Sequence, residues 1–170
     1  IDAVVFDKTG TLTKGAHVVT GVAAGPGWTD EQVLAIGGAV EGDSEHPLAR
    51  AIVTAARTRG TVSRATGFRS ITGRGVEAEV DGARYALGGP ALLRERHLTI
   101  PTELVATVSG WEQRGASVLY LAGPDGIVGV FALEDEIRPE ALEAVAALVR
   151  LGKRVVMITC DARQVAEAVG

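Results

Sequence analysis

A short polar stretch, DKTGTLT at Asp7–Thr13, directly follows IDAVVF, whose apolar run predicts a strand buried on both faces. In open α/β sheets ligands bind at the carboxyl ends of strands, and this pattern places Asp7 there. Gly10 permits a tight turn whose backbone amides can bind an anion, and Lys8 adds a positive charge. The stretch predicts either a phosphate site with a carboxylate able to attack the phosphate, or a surface turn in which these residues serve geometry alone.

The composition is that of a folded globular protein that does not bind nucleic acid. The chain has 170 residues, 46% of them hydrophobic, as expected for a folded globular protein. A net charge of −4 and only 4% aromatic residues argue against binding to nucleic acid. The chain opens inside a strand pattern and stops inside a helical one. We therefore expect a piece of a longer protein, monomeric by itself.

The hydrophobic periodicity predicts an α/β pattern at both ends and antiparallel strands with helices between them. We expect an α/β domain formed by residues 1–14 and 129–170, with an α+β domain of residues 15–128 inserted into it. The acidic run 134–136 is expected in a solvated loop at a helix start, and residues 23–27 (AAGPG) in another loop. The predicted strands are 3–6, 64–70, 75–80, 83–88, 117–121, 126–133 and 154–159, and the predicted helices are 29–42, 47–59, 90–95, 101–114, 138–151 and one from 161.

The heptad DKTGTLT matches letter for letter the phosphorylation motif of P-type ATPases, which the chain therefore resembles. The resemblance implies that Asp7 takes the γ-phosphoryl group of ATP and that Lys8 stabilises phosphate charge. It also implies Mg²⁺ held by Asp7 and by the carbonyl of Thr9. Phosphatases of the wider haloacid dehalogenase-like superfamily have a second aspartate where this chain has Thr9, and threonine cannot shuttle a proton as a carboxylate does. A long-lived aspartyl-phosphate, as a pump needs, is therefore expected.

A second motif, SEHPL at residues 44–48, precedes a predicted helix. A lone histidine before proline is usually structural or simply exposed. The string nevertheless resembles the signature of heavy-metal-transporting (P1B, CPx) P-type ATPases, which implies that His46 and Glu41 line an adenine pocket. The same resemblance gives Gly73 and Gly75 of TGRG a close backbone approach to the nucleotide, although such a pair alone more often marks a turn or bulge. Gly89 stands where many members have a nucleotide-contacting asparagine, and Arg74 is one group that could compensate.

The C-terminal part resembles the segment by which the family chain re-enters its phosphorylation domain. LEDEIRPEALEAV contains Asp135, which is expected to help hold the catalytic loop. VVMITCDA matches the TGD motif, which implies that Thr159 donates a hydroxyl to phosphate and that Asp161 orders the nucleotide side of the site. Cys160 replaces the family's glycine there. The catalytic lysine and the remaining Mg²⁺ ligands are expected beyond residue 170.

The resemblance covers essentially the whole chain and implies a function. The chain is expected to be the ATP-binding domain plus an incomplete haloacid dehalogenase-like, Rossmann-type phosphorylation domain of a heavy-metal-translocating P-type ATPase. Copper(I) is the expected cargo and ATP and Mg²⁺ the cofactors. The partners would be the transmembrane and actuator domains of the same protein, with this part on the cytoplasmic side of the cell membrane and inactive alone. The alternatives are a soluble phosphatase with a cap domain and a non-catalytic nucleotide-binding regulatory module.

Overall fold

The computed structural model describes residues 1–60 and 62–158, which form two β-sheets with helices packed against them. The strands are β1 (Ala3–Asp7), β2 (Thr13–Ala24), β3 (Ala65–Ile71), β4 (Gly75–Val80), β5 (Ala83–Gly88), β6 (Ser117–Gly123), β7 (Gly126–Ile137) and β8 (Arg154–Ile158). The helices are α1 (Asp30–Val40), α2 (Pro47–Arg59), α3 (Pro90–Arg96), α4 (Thr102–Gln113) and α5 (Pro139–Arg150), with a single π-helical turn at Lys8–Leu12. β1 pairs in parallel with β8, and the other six strands form an antiparallel sheet in the order β2-β7-β6-β5-β4-β3. The predicted fold class is confirmed.

The parallel pair brings the two ends of the described chain together. Asp7 lies opposite Ile158, so both strands end at the same edge. The expectation that β1 is buried on both faces is wrong, since Val5 is 54% exposed, and Ile158 at the end of β8 is likewise 59% exposed. The helix α5 packs against β8, and one helix cannot cover both faces of a sheet.

The strand β2, which follows the DKTGTLT stretch, was not predicted from the sequence. Register irregularities between Thr13 and His17 and between Val19 and Gly21 break the strict alternation by which a strand is recognised. A Cβ on Gly21 would overlap the ring of Trp111 of α4, so glycine allows the helix to lie close to the strand. The predicted loop at residues 23–27 is wrong at its start, because β2 continues through Ala24.

The acidic run 134–136 lies in β7 and not in a loop, which corrects the prediction. Glu134 forms an ion pair with Arg114 at 2.7 Å, and Glu136 one with Lys14 at 2.6 Å. These ion pairs, one to a residue of β2 and one to the residue that follows α4, offset the negative charges along the strand. The two proposed domain boundaries, 14/15 and 128/129, fall within β2 and β7, and they stay a prediction.

The antiparallel sheet has a hydrophobic cluster on each face. On one face α1 and α2 pack against Phe131 and Leu87, with Leu34 and Ile52 fully enclosed. On the other face Leu104 and Val108 of α4 contact strand residues including Tyr120 and Val130. Thr29 caps α1 through a capping box with Gln32, so the helix begins at Asp30, within one residue of the predicted start. Both faces of the antiparallel sheet are thus covered by helices that pack on them.

Candidate functional site

A cavity of about 320 Å³ opens where α1 ends, α2 begins and the β3–β4 and β5–α3 connections meet. All four residues predicted to contact nucleotide line it: Glu41, His46, Gly73 and Gly75. The other lining residues are Ser44, Leu48, Ser70, Ile71, Thr72, Arg74, Val76, Leu87, Gly88, Gly89 and Leu119. The chain therefore brings together residues that are widely separated in sequence, and their predicted role remains to be tested.

Glu41 supplies a buried carboxylate to the cavity. It follows the last residue of α1 and is only 5% exposed. Its Oε2 atom has no hydrogen-bond partner among the described residues. Burial raises the pKa of Glu41 to about 7, and a hydrogen bond with the Ser44 side chain opposes part of that rise. The site thus contains an acceptor that a ligand's N–H group could satisfy.

His46 is oriented by the helix that it begins. Its Nδ1 atom accepts a hydrogen bond from the backbone N–H of Leu48 at 3.2 Å, so the side chain caps α2. The neutral imidazole must then carry its proton on Nε2, which leaves that N–H and the ring face for a ligand. Ser44 accepts from the His46 backbone N–H at 3.4 Å and also bonds to Glu41. This bridging role of Ser44 was not predicted, although the serine stands in the SEHPL string.

Glycine is required at positions 73 and 75 for different physical reasons. Gly73 occupies the third position of a turn closed by the Arg74 N–H and the Ile71 carbonyl, with φ of 73°, and a Cβ there would meet nothing within 4 Å. Gly75 has φ of 127°, and a Cβ on it would overlap the carbonyl oxygen of Leu87. A Cβ on Gly88 would likewise overlap the carbonyl of Arg74. Gly75 therefore has a packing requirement that the sequence did not reveal.

Asp7 is an exposed carboxylate at the end of β1. Its side chain does not cap the following turn, and no hydrogen bond or ion pair links it to the described residues. Lys8, next to it, is only 7% exposed, and Gly10 turns with φ of 81°. The carboxylate that was predicted to act as nucleophile is thus accessible.

The loop after Asp7 is tied to β7 through Thr13, which is completely buried. The Thr13 hydroxyl lies 2.7 Å from Oδ2 of Asp135 and 3.2 Å from the carbonyl of Lys8. Arg138 donates from Nε to the Thr13 carbonyl at 3.0 Å, and its backbone N–H donates to the carbonyl of Leu12. Asp135 was expected to support this loop, whereas Thr13 and Arg138 were missed because their contacts span more than a hundred residues of sequence.

The chain is similar to known proteins along essentially its whole length. A model of the haloacid dehalogenase-like hydrolases matches residues 1–170. The chain belongs to the haloacid dehalogenase-like hydrolase family. It is 41% identical over 170 residues to a probable copper-exporting P-type ATPase V of Mycobacterium tuberculosis, covering 99% of this chain and 22% of the relative. It is 41% identical over 168 residues to copper-exporting P-type ATPase B of Archaeoglobus fulgidus, covering 98% of this chain and 24% of the relative.

A solved structure is similar to this haloacid dehalogenase-like chain along nearly its whole length. A zinc-transporting PIB-type ATPase in its E2.Pi state gives a TM-score of 0.87 at 32% identity, covering 99% of this chain and 27% of that one. The predicted resemblance to heavy-metal-transporting P-type ATPases is confirmed, so the chain corresponds to part of an enzyme of that class. It spans about a quarter of the length of the curated relatives it matches.

Some predicted features of this haloacid dehalogenase-like chain lie outside the described residues. They include Thr159 and Asp161, together with Cys160 and Ala162. Within residues 1–60 and 62–158, no three His, Cys, Asp or Glu side chains are grouped as metal ligands. In the same part of the chain, no helix has the length and apolarity to cross a membrane.

Glu41 makes the stability of the nucleotide-free chain depend on pH. Because its pKa is raised from 4.5 to about 7, the folded chain binds more protons than the unfolded chain between these values. Stability therefore falls as pH rises through this window and stays level above it. Glu41→Gln removes the effect and should raise the free energy of unfolding at pH 8 by roughly 3 kcal/mol, but by less than about 1 kcal/mol at pH 5. Urea denaturation at both pH values measures this.

The exposed neighbour Glu45 offers a matched control for that measurement. Glu45→Gln removes the same charge close by and should change stability little at either pH. An equal effect of Glu41→Gln at pH 5 and pH 8 would show that burial does not shift the titration of this carboxyl.

Proposed function

We propose that this chain binds ATP in the cavity at Glu41 and His46 and takes the γ-phosphoryl group on Asp7, as the cytoplasmic catalytic part of a heavy-metal-exporting P-type ATPase. The observation that carries the proposal is the convergence of Glu41, His46, Gly73 and Gly75 on one cavity. The carboxylate of Asp7, which is exposed and has no partner among the described residues, supports the proposed phosphoryl transfer.

The cavity offers complementary groups to an adenine ring. Ionised Glu41 can accept a hydrogen bond from the exocyclic amino group through Oε2, which has no partner among residues 1–60 and 62–158. The Nε2–H of His46 can donate to a ring nitrogen, or its ring can stack on the base. The turn at Gly73 brings bare backbone to the cavity wall, where a side chain would occupy ligand space.

Phosphoryl transfer would be an in-line displacement at the γ-phosphorus. A carboxylate oxygen of Asp7 forms the new bond to phosphorus, the bond to the bridging oxygen breaks, and the electron pair leaves with ADP. Lys8, Thr159 and Asp161 are proposed to stabilise the transferred phosphoryl and order the site. Domain closure is proposed to bring the cavity and Asp7 together. The carboxylate of Asp7 and the main-chain carbonyl of Thr9 are hard oxygen donors that fit Mg²⁺, which would neutralise phosphoryl charge.

The cargo, location and partners follow from the relatives and stay part of the proposal. Copper(I) is the proposed cargo, because two relatives at 41% identity are named as copper exporters, whereas the similar solved structure is a zinc transporter. The proposed setting is the cytoplasmic side of the cell membrane. The proposed partners are the transmembrane and actuator domains of the same full-length protein, with no role in binding nucleic acid.

Calorimetric titration of this chain with ATP tests the proposal. Glu41→Ala and His46→Ala are each expected to weaken binding by about tenfold, which corresponds to one hydrogen bond lost from a buried site. His46→Asn is a matched variant that keeps an acceptor for the α2 cap but lacks the ring, so it separates ligand contact from helix stability. Glu45→Ala, which changes an exposed residue outside the cavity lining, should leave ATP binding unchanged.

The outcomes separate the proposal from its alternatives. Weakening by the cavity variants but not by Glu45→Ala supports ATP recognition at this site. Steady hydrolysis of simple phosphate esters by the chain would favour a phosphatase with a cap domain. The proposal would be contradicted if the chain bound no nucleotide, or if the changes at Glu41 and His46 left the affinity for ATP unchanged. The proposed phosphoryl transfer to Asp7 would then be supported by the DKTGTLT motif alone.

A further inference from the structure

Arg74 is the one lysine or arginine among the described residues that line the cavity. The chain carries a net charge of −4, and the cavity already contains the carboxyl group of Glu41. A nucleoside triphosphate is strongly anionic, so its binding there would require a nearby cation to offset repulsion. Gly89, at the start of α3, adds no side chain to this wall. The cavity therefore contains one strong candidate for a phosphate contact.

The backbone of Arg74 is fixed while its side chain is accessible. Its N–H closes the turn with Ile71, and its carbonyl packs against Gly88 so closely that a Cβ there would overlap it. The side chain is 50% exposed. Because the backbone is fixed and the guanidinium is planar, little conformational entropy is lost when the side chain changes partners. The two N–H groups of the guanidinium also match the spacing of phosphate oxygens.

Arg74 forms an exposed ion pair that an anionic ligand could readily displace. Its Nη1 atom lies 2.8 Å from Oε1 of Glu95 on α3, and the Glu95 side chain is 40% exposed. Exposed ion pairs of this kind contribute little to stability. The neighbouring Arg96 holds α3 on the sheet independently, through a 2.6 Å bond to the buried Glu77. Separating Arg74 from Glu95 would therefore not detach the helix.

We propose that Arg74 binds the polyphosphate of the nucleotide and that Glu95 occupies its guanidinium when no nucleotide is present. Arg74 exchanges the Glu95 carboxylate for phosphate oxygens when ATP enters. The pair thereby distinguishes nucleotides by their number of phosphates, whereas Glu41 and His46 contact the base. This inference rests on the proposed nucleotide binding in the same cavity.

Calorimetric titrations with ATP, ADP, AMP and adenosine test the inference. Arg74→Ala is expected to weaken ATP binding about tenfold and adenosine binding by less than twofold, with the loss growing as phosphates are added. Arg74→Lys, which keeps the charge but loses the fork, should give an intermediate loss. Glu95→Gln removes the competing carboxylate and should tighten ATP binding by up to about fivefold without changing adenosine binding.

Arg94→Ala is the matched control, because it removes an exposed charge from the same helix that carries Glu95 but does not line the cavity. It should change ATP affinity by less than twofold. Equal losses from Arg74→Ala and Arg94→Ala, or equal losses for ATP and adenosine, would overturn the inference. A thermal melt of each variant identifies any loss that comes from unfolding.

Failure of this inference is distinguishable from failure of the proposed function. If adenosine and ATP both bind and Glu41→Ala weakens both, but Arg74→Ala weakens neither, the base site stands and the phosphate contact is refuted. If the wild-type chain binds neither compound, both proposals are overturned.

Discussion

Asp7→Asn is expected to abolish phosphorylation of the full-length protein, which we propose to be a metal pump, with a loss of at least about 10³-fold. The carboxylate at the end of β1 is exposed and has no partner among the described residues, so its proposed task is to attack the γ-phosphorus. A carboxamide at the same place has the same shape but is a far weaker nucleophile. Acid precipitation after incubation with γ-labelled ATP measures the phosphorylated protein.

Two further variants define what that loss means. Asp7→Glu keeps the charge but moves it outward by one methylene, and a displacement of about 1 Å is expected to reduce the rate roughly 10²-fold. Asp2→Asn changes an exposed carboxylate just before the same strand and should leave phosphorylation intact. ATP binding by the isolated chain should survive Asp7→Asn within about twofold. Labelled protein from Asp7→Asn would place the acceptor elsewhere.

Gly75→Ala is expected to destabilise the chain by about 3 kcal/mol or more, the largest stability loss among these substitutions. The new methyl group would overlap the carbonyl oxygen of Leu87 on β5, and backbone cannot move aside as a flexible side chain does. The positive φ of 127° adds conformational strain for any L-residue with a side chain. Urea denaturation gives the change in the free energy of unfolding.

Gly73→Ala is the matched control two residues away. Its φ of 73° is also positive, but its Cβ would meet nothing within 4 Å, so only the backbone strain of about 1 kcal/mol is expected. The order of the two losses tests whether packing between β4 and β5, and not glycine chemistry in general, requires Gly75. Equal losses in the two variants would contradict the overlap with Leu87.

Local signals predicted most of the elements correctly, because each acts on residues near it in sequence. Pro47 at the first helical position and Gly60 at the end gave the bounds of α2, and the turn at Asp81–Gly82 gave the hairpin of β4 and β5. The predictions failed where a long-range partner determines the structure. β2 is a strand because β7 pairs with it through two irregularities, and the same pairing keeps the acidic end of β7 extended.

The sequence by itself determined the family, the nucleophile candidate and the residues proposed to contact nucleotide, because DKTGTLT and SEHPL are contiguous strings that carry this information locally. The tertiary structure alone decided that Glu41, His46 and Gly73 share one cavity and that Arg74 faces Glu95 there. It also decided that an oxygen of Glu41 is buried with no hydrogen-bond partner in the part of the chain that the structure describes. The physical reason is that periodicity fixes which side of an element is apolar. Burial, desolvation and pairing depend instead on which elements from distant parts of the chain pack together.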